Sequence, residues 1–180
     1  MHSFAKRQKK GSDLVFNIGD KIVYGSEGVF TVQEYTTSPL DKNDERVFYI
    51  LVPISGSQNN KIIAPSDGGR VPMRGVMSRE EALALIDRMP EICEVEVSQE
   101  RGRREAYRAV INEGRGENFV SIIKTVRRRR EEFLILKRRL SETDTDFEGR
   151  AKNCLLGELS VALDIPRSDV EKFIVERLEL

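Results

Sequence analysis

The sequence predicts an α+β protein in two parts: a small Tudor-like or SH3-like antiparallel β-barrel over residues 15–77, then an all-α helical bundle over 78–180. Three observations predict it. Short runs rich in Val, Ile, Phe and Tyr, each bounded by Gly, Asn, Asp, Ser or Pro, fill the first part and stop after Met77. Beyond it, apolar residues recur at three- and four-residue steps, the period of a helix with one buried face. Finally, 180 residues, 39% of them hydrophobic, suffice for one large or two small cores.

Residues 1–14 are polar and basic without periodicity, and are expected to form a disordered leader outside the fold. The strands follow as DKIVY, GVFTVQEY, RVFYILVPI and NKIIAP. In Val29-Phe30-Thr31-Val32-Gln33 the character alternates, as in a strand with one wet face. Turn residues mark the breaks: Gly25 to Gly28, Ser38 to Asp44, and Ser55 to Asn60. A barrel this small encloses no ligand, so it works through its surface. The segment Lys61-Ile62-Ile63-Ala64-Pro65 reads as an edge strand, open either to strand addition by another protein or simply shielded by Lys61.

Ser78-Arg79-Glu80-Glu81 is a capping box that opens a short helix through Ala82, Leu85, Ile86 and Met89, ended by Pro90. An acidic connector spans 91–100, and a second helix is predicted over Arg103 to Asn112, stopped by Gly114-Arg115-Gly116. The longest helix is predicted over 117–140, with Phe119, Ile122, Ile123, Val126, Phe133, Leu136 and Leu140 as its stripe. Thr145 to Glu148 offers another capping box, for a helix with Phe147, Ala151, Leu155, Leu159 and Ala162 inward. A last helix starts near Ser168, after Pro166, with Val170, Phe173, Ile174 and Leu178 inward.

Thirty basic and thirty acidic residues cancel, but unevenly. Residues 101–139 carry thirteen Lys/Arg against five Asp/Glu, whereas 80–100 carry one against seven and 140–180 five against ten. A basic island thus lies between acidic flanks. Arg127 to Arg130 point in four directions about 100° apart, so they cannot share one face and one must lie against the apolar stripe, where Arg130 is expected. Lys124, Arg127, Arg128 and Lys137 to Arg139 would then form a positive ridge, extended by Arg101, Arg103, Arg104 and Arg108. Such a ridge suits duplex phosphates, and the same residues also fit a solvated face laced to Glu131 and Glu132. Phosphate-loop, dinucleotide and nucleophile-elbow motifs are absent, and the single His, His2, sits in the leader. Glu80/Glu81, Glu131/Glu132 and Asp144/Asp146 read as helix-start or solvated acids rather than metal ligands. No cofactor or metal is expected. Cys93 and Cys154 are too isolated for a disulfide framework, with Cys154 read as a core thiol. No apolar run approaches a membrane span, so a cytosolic, non-enzymatic protein is expected.

The segment FNIGDKIVYGSEGVF at 16–30 resembles the opening of the CarD/CdnL family of bacterial transcription regulators, a module shared with the transcription-repair coupling factor. The likeness continues through RVFYILVP at 46–53, IIAP at 62–65, MRGVMSREEALALI at 73–86, and REAYRAVI, IIKTVRRRREE and LLGELSVALDIP in the helical half. The resemblance implies that the N-terminal domain grips the RNA polymerase β subunit through Lys61, Ile63 and Pro65. It also implies a helical domain that touches promoter DNA through Arg103 and Arg104, to which the charge pattern adds Lys124, Arg127 and Arg128. A monomer is expected. The family's Tyr-Pro-x-His-Gly turn reads Tyr24-Gly25-Ser26-Glu27-Gly28 here. Family members wedge a Trp into the minor groove, whereas this chain has none. Arg101 falls near that place, so the DNA contact implied here is electrostatic. The rival binding reading is a protein–protein adaptor without direct DNA binding.

Overall fold

The alternation of buried and wet residues in the first part builds a five-stranded antiparallel sheet. The computed structural model describes residues 16–37, 46–55, 60–66, 69–97 and 100–179. The leader, the Ser38 to Asp44 turn and most of the Ser55 to Asn60 turn lie outside the described residues. The strands are Lys21–Tyr24 (β1), Gly28–Thr37 (β2), Val47–Pro53 (β3), Ile62–Pro65 (β4) and Met73–Gly75 (β5). Their order is β4-β3-β2-β1-β5, a meander with β5 added beside β1. Gln33 is left unpaired by a register shift between Val32 and Glu34, and this bulge ends the buried alternation of β2. Ile22, Phe30, Val32, Tyr49, Leu51 and Ala64 form the sheet's core. The expected closure is corrected: β4 and β5 do not pair, so the sheet is open. β5, only three residues long, pairs with β1 alone.

The helices are Arg79–Arg88 (α1), Arg103–Asn112 (α2), Gly116–Ile135 (α3), Glu142–Leu163 (α4) and Arg167–Arg177 (α5). Short 3₁₀ turns at Met89–Glu91 and Glu100–Gly102 flank the acidic connector. The Ser78 capping box forms as read: the Glu81 amide donates to Ser78 Oγ at 3.2 Å and the Ser78 amide to Glu81 Oε2 at 2.7 Å. One shared core holds Ile86, Tyr107, Ile111, Phe119, Ile122, Val126, Phe147, Leu155, Leu159 and Val170.

Two helix boundaries differ from the sequence reading. The third helix stops at Ile135, because Lys137 takes a left-handed φ of 51° and closes a Schellman turn. In that turn the Arg138 amide donates to Phe133 O at 2.8 Å and the Lys137 amide to Leu134 O at 3.1 Å. Leu136 is therefore off the stripe and 59% exposed. The fourth helix begins earlier than Thr145, since Ser141 is its cap and accepts from the Asp144 amide at 3.1 Å. Thr145 lies in the helical first turn, its hydroxyl donating to Ser141 O at 3.2 Å.

Sheet and bundle meet at a polar joint. Glu158 on α4 is fully buried and receives Arg74 Nη2 of β5 at 2.7 Å and the Met77 amide at 3.1 Å. Arg74 also donates through Nε and Nη2 to Gly114 O, at 3.0 and 2.7 Å. Gly114, at φ 66°, lies so close to Gly25 that an added Cβ would stand 3.1 Å from the Gly25 carbonyl oxygen. The Gly25 to Gly28 turn is a hairpin docked on α4, where Arg150 Nη2 donates to Ser26 Oγ at 2.7 Å. Cys154 Sγ is 3.2 Å from Ser26 O, and burial pushes its thiol up to about 12.

Candidate nucleic-acid interface

Arg127 to Arg130 leave α3 in successive directions of about 100°, and each meets a different environment. Arg127 is 75% exposed at its side chain and 3.5 Å from Glu131, a loose surface pair. Arg128 is half exposed and clasped by Glu94 and Glu132, with the Glu94 hydrogen bond raising its pKa. Arg129, not Arg130, lies against the core. It is 9% exposed, donates to Glu100 Oε1 at 2.8 Å, and stacks 5.2 Å from the Phe133 ring centre. Arg130 reaches Glu148 on α4, which Lys152 also approaches at 3.4 Å. Burial pushes the Glu148 carboxyl up, but Arg130 and Lys152 outweigh it and leave the group below its ordinary value.

The second correction concerns Arg103, which is not on a ridge. Its side chain is buried, with Nη2 donating to Ser141 Oγ at 2.9 Å and Nε 3.0 Å from Asp144 Oδ1. Asp144 is fully buried and lies 3.5 Å from Arg129 Nε. It accepts from Tyr107 OH at 3.1 Å and Ser141 Oγ at 2.7 Å. Neither guanidinium Nε has hydrogen-bond geometry, so Asp144 acts on both by proximity of charge. Glu100 caps the pair from outside, and the Arg129 hydrogen bond holds its carboxyl below the usual range. Burial, then Asp144, drives the Tyr107 hydroxyl well above its ordinary value. Two buried cations thus meet two carboxylates, the arrangement that burial of charge requires.

Lys124 is likewise held inside the fold. Its Nζ donates to the carbonyls of Met89, Pro90 and Ile92 at 3.2, 2.8 and 2.6 Å, closing the end of α1. Lys124 and Arg127 also edge an apolar groove of about 590 Å³ between α3, α4 and α5, lined by Ile123, Leu155 and Ile174.

Arg101, Arg104 and Arg108 remain. All three are exposed and make no ion pair among the described residues. Arg104 and Arg108 are four apart on α2 and share a face, and Arg101 stands three residues before Arg104. On the sheet, Lys61 and Ile63 are exposed, Ile63 at 46%, and Pro65 is partly buried. β4 pairs with β3 alone, through Ile63 opposite Ile50 and Ala64 opposite Tyr49, which leaves its other edge without a strand partner among the described residues. Among those residues no group of three or more His, Cys, Asp or Glu is placed to hold a metal ion, and no helix is long and apolar enough to cross a membrane.

Sequence reasoning missed the buried side of this region. Asp144 stands out only as the third residue after a Ser cap, and Arg74 and Glu158 carry no local signal because they are 84 residues apart. No family model matches the chain, and no curated protein matches it.

Proposed function

We propose that this chain is a bacterial transcription regulator of the CarD/CdnL kind, whose Tudor-like N-terminal part binds the RNA polymerase β subunit along the β4 edge while its helical part touches promoter DNA. The observation that carries the reading is the coexistence of two open surfaces on one joined frame. One is the unpaired β4 edge with Lys61, Ile63 and Pro65. The other is the set of unpaired guanidinium groups of Arg101, Arg104 and Arg108. The ordered series of segments that resembles the family supports the assignment of partners.

Strand addition supplies backbone hydrogen bonds at β4, and an exposed Ile63 supplies an apolar contact. The arginines position phosphates without reading bases. Of the wider set first assigned to DNA, Arg127 and Arg128 are left as peripheral contributors, and Arg103 and Lys124 hold the scaffold. By linkage, a protein that binds the open promoter complex more tightly than the closed one by about 1.4 kcal/mol shifts their ratio tenfold. The test is a promoter-opening assay with purified polymerase, wild type beside Ile63→Arg and beside Arg104→Glu/Arg108→Glu. Either variant should lose the effect of the wild type on open-complex lifetime. Equal lifetimes with and without the wild-type chain refute the reading.

One observation favours the adaptor alternative: Arg103, Arg128, Arg129 and Arg130 are all neutralised within the fold. A titration with duplex DNA separates the two, because phosphate contact weakens steeply as salt rises and an adaptor shows no DNA binding to weaken.

A further inference from the structure

The end of α3 carries three consecutive exposed aliphatic residues, a run found nowhere else among the described residues. Leu134, Ile135 and Leu136 are 69%, 82% and 59% exposed. At 100° per residue these three side chains span about 200°, more than one face of a helix, and all are exposed, so this end projects beyond the bundle rather than turning one face to it. It is not a frayed end. The Schellman bonds from Arg138 and Lys137 close it, and Phe133 beneath it is held against Arg129. Lys137, Arg138 and Arg139 follow at once, exposed and without ion pairs among the described residues. The result is an exposed apolar tip, closed by its cap, with a cationic collar.

We propose that this tip is a protein-docking knob, which seats in an apolar groove edged by carboxylates on a folded partner. Exposed apolar patches rimmed by charge mark interaction sites, and an apolar centre within a polar rim containing Arg is the build of a protein interface. A duplex fits less well. Covering three adjoining aliphatic side chains would require unstacking base steps at a few kcal/mol each, whereas a preformed groove covers them without that cost. Lys137, Arg138 and Arg139 have no carboxylate partner among the described residues, and Glu131 and Glu132 one turn earlier are already paired with Arg127 and Arg128, so the docking partner supplies the counter-charge. The proposal rests on the polymerase reading above for the partner's identity: the knob is a second foothold on the enzyme that the β4 edge grips.

The experiment measures binding of the full chain to purified bacterial RNA polymerase core enzyme, without DNA, by interferometry. The variants are Leu134→Glu/Leu136→Glu, Ile63→Arg, and all three changes together. Far-ultraviolet circular dichroism and thermal unfolding check that each folds, as expected for exposed sites. The knob variant should bind the core enzyme at least tenfold more weakly, with the loss multiplying that of Ile63→Arg, and should keep its affinity for duplex DNA. Wild-type affinity in the knob variant, with Ile63→Arg impaired, overturns the knob and leaves the β4 reading standing. Loss of duplex binding instead, or binding of the wild type to anionic vesicles that the knob variant abolishes, assigns the tip to DNA or to lipid and overturns the proposal. Failure of the wild type to bind the core enzyme overturns both readings.

Discussion

Residues 101–108 and 127–130 are two arginine-rich helical stretches of one bundle with opposite fates. On α3, three of four guanidinium groups are taken up by carboxylates from the connector, α3 itself and α4: Glu94 and Glu132, Glu100 and Asp144, and Glu148. On α2 and the turn before it, only Arg103 is taken up, and Arg101, Arg104 and Arg108 face solvent unpaired among the described residues. The difference lies in what is packed opposite. α3 runs against both the connector and α4, so its circumference meets acids on several sides, while α2 packs by one face and shows the other to water. A count of charges along the chain therefore overstates the cationic surface of a central helix and is fairer for a peripheral one.

The comparison breaks most severely at Asp144. Asp144→Asn should destabilise the fold by about 3–5 kcal/mol, because Arg103 and Arg129 stay buried without their shared anion. Urea unfolding measures this, and a loss under 1 kcal/mol would mean that Glu100 alone holds the two cations. Next is Glu158→Gln at the joint. Arg74 is about a third exposed and water can reach it, so the expected cost is near the low end for a broken buried pair, about 3 kcal/mol. Faster hydrogen exchange at the Met77 amide should accompany it, since that amide donates to the lost carboxylate. Lys137→Gly should stabilise by about 0.5–1 kcal/mol, because glycine adopts the left-handed φ without a Cβ clash. A thermal scan showing a lower midpoint would contradict the Schellman turn. Arg127→Gln should change stability by less than about 0.5 kcal/mol, as an exposed pair contributes little.

Acid sharpens the same contrast. The folded carboxyls of Glu100 and Glu148 lie below the ordinary value of 4.5. Each therefore adds stability that is complete above that pH and is lost as pH falls through the folded value. Urea midpoints of wild type and Glu148→Gln should differ at pH 7 and draw together progressively as pH falls from about 4.5 through the lower folded value. A constant gap would show that the Arg130 contact is not ionic.

The first four strands, the Ser78 capping box and the span of α2 were legible because each is encoded within a few residues, whereas β5, three residues at Met73–Gly75, was not among the segments read as strands. The helix stripe placed Phe119, Ile122 and Val126 in the core for the same reason. The stop of α3 was not, since a Lys in a left-handed turn carries none of the signal that a Gly would. The choice of Arg129 over Arg130 escaped too. The two differ by one position on a stripe, and the buried carboxylate that decides between them, Asp144, is contributed by the next helix. Of the candidate site, the exposed edge at Ile63 and the exposed Arg104 were readable, whereas the burial of Arg103 and the three-carbonyl seat of Lys124 depend on tertiary packing alone.

The proposed assignment gives DNA contact to the unpaired arginines of α2 rather than to Arg127 to Arg130 of α3, three of which are taken up by carboxylates. It is tested most directly by measuring promoter DNA affinity of the polymerase-bound chain, for Arg104→Glu/Arg108→Glu beside Arg127→Glu/Arg128→Glu at one ionic strength. A large loss is expected for the α2 pair and a small one for the α3 pair. Equal losses, or the reverse order, would contradict it.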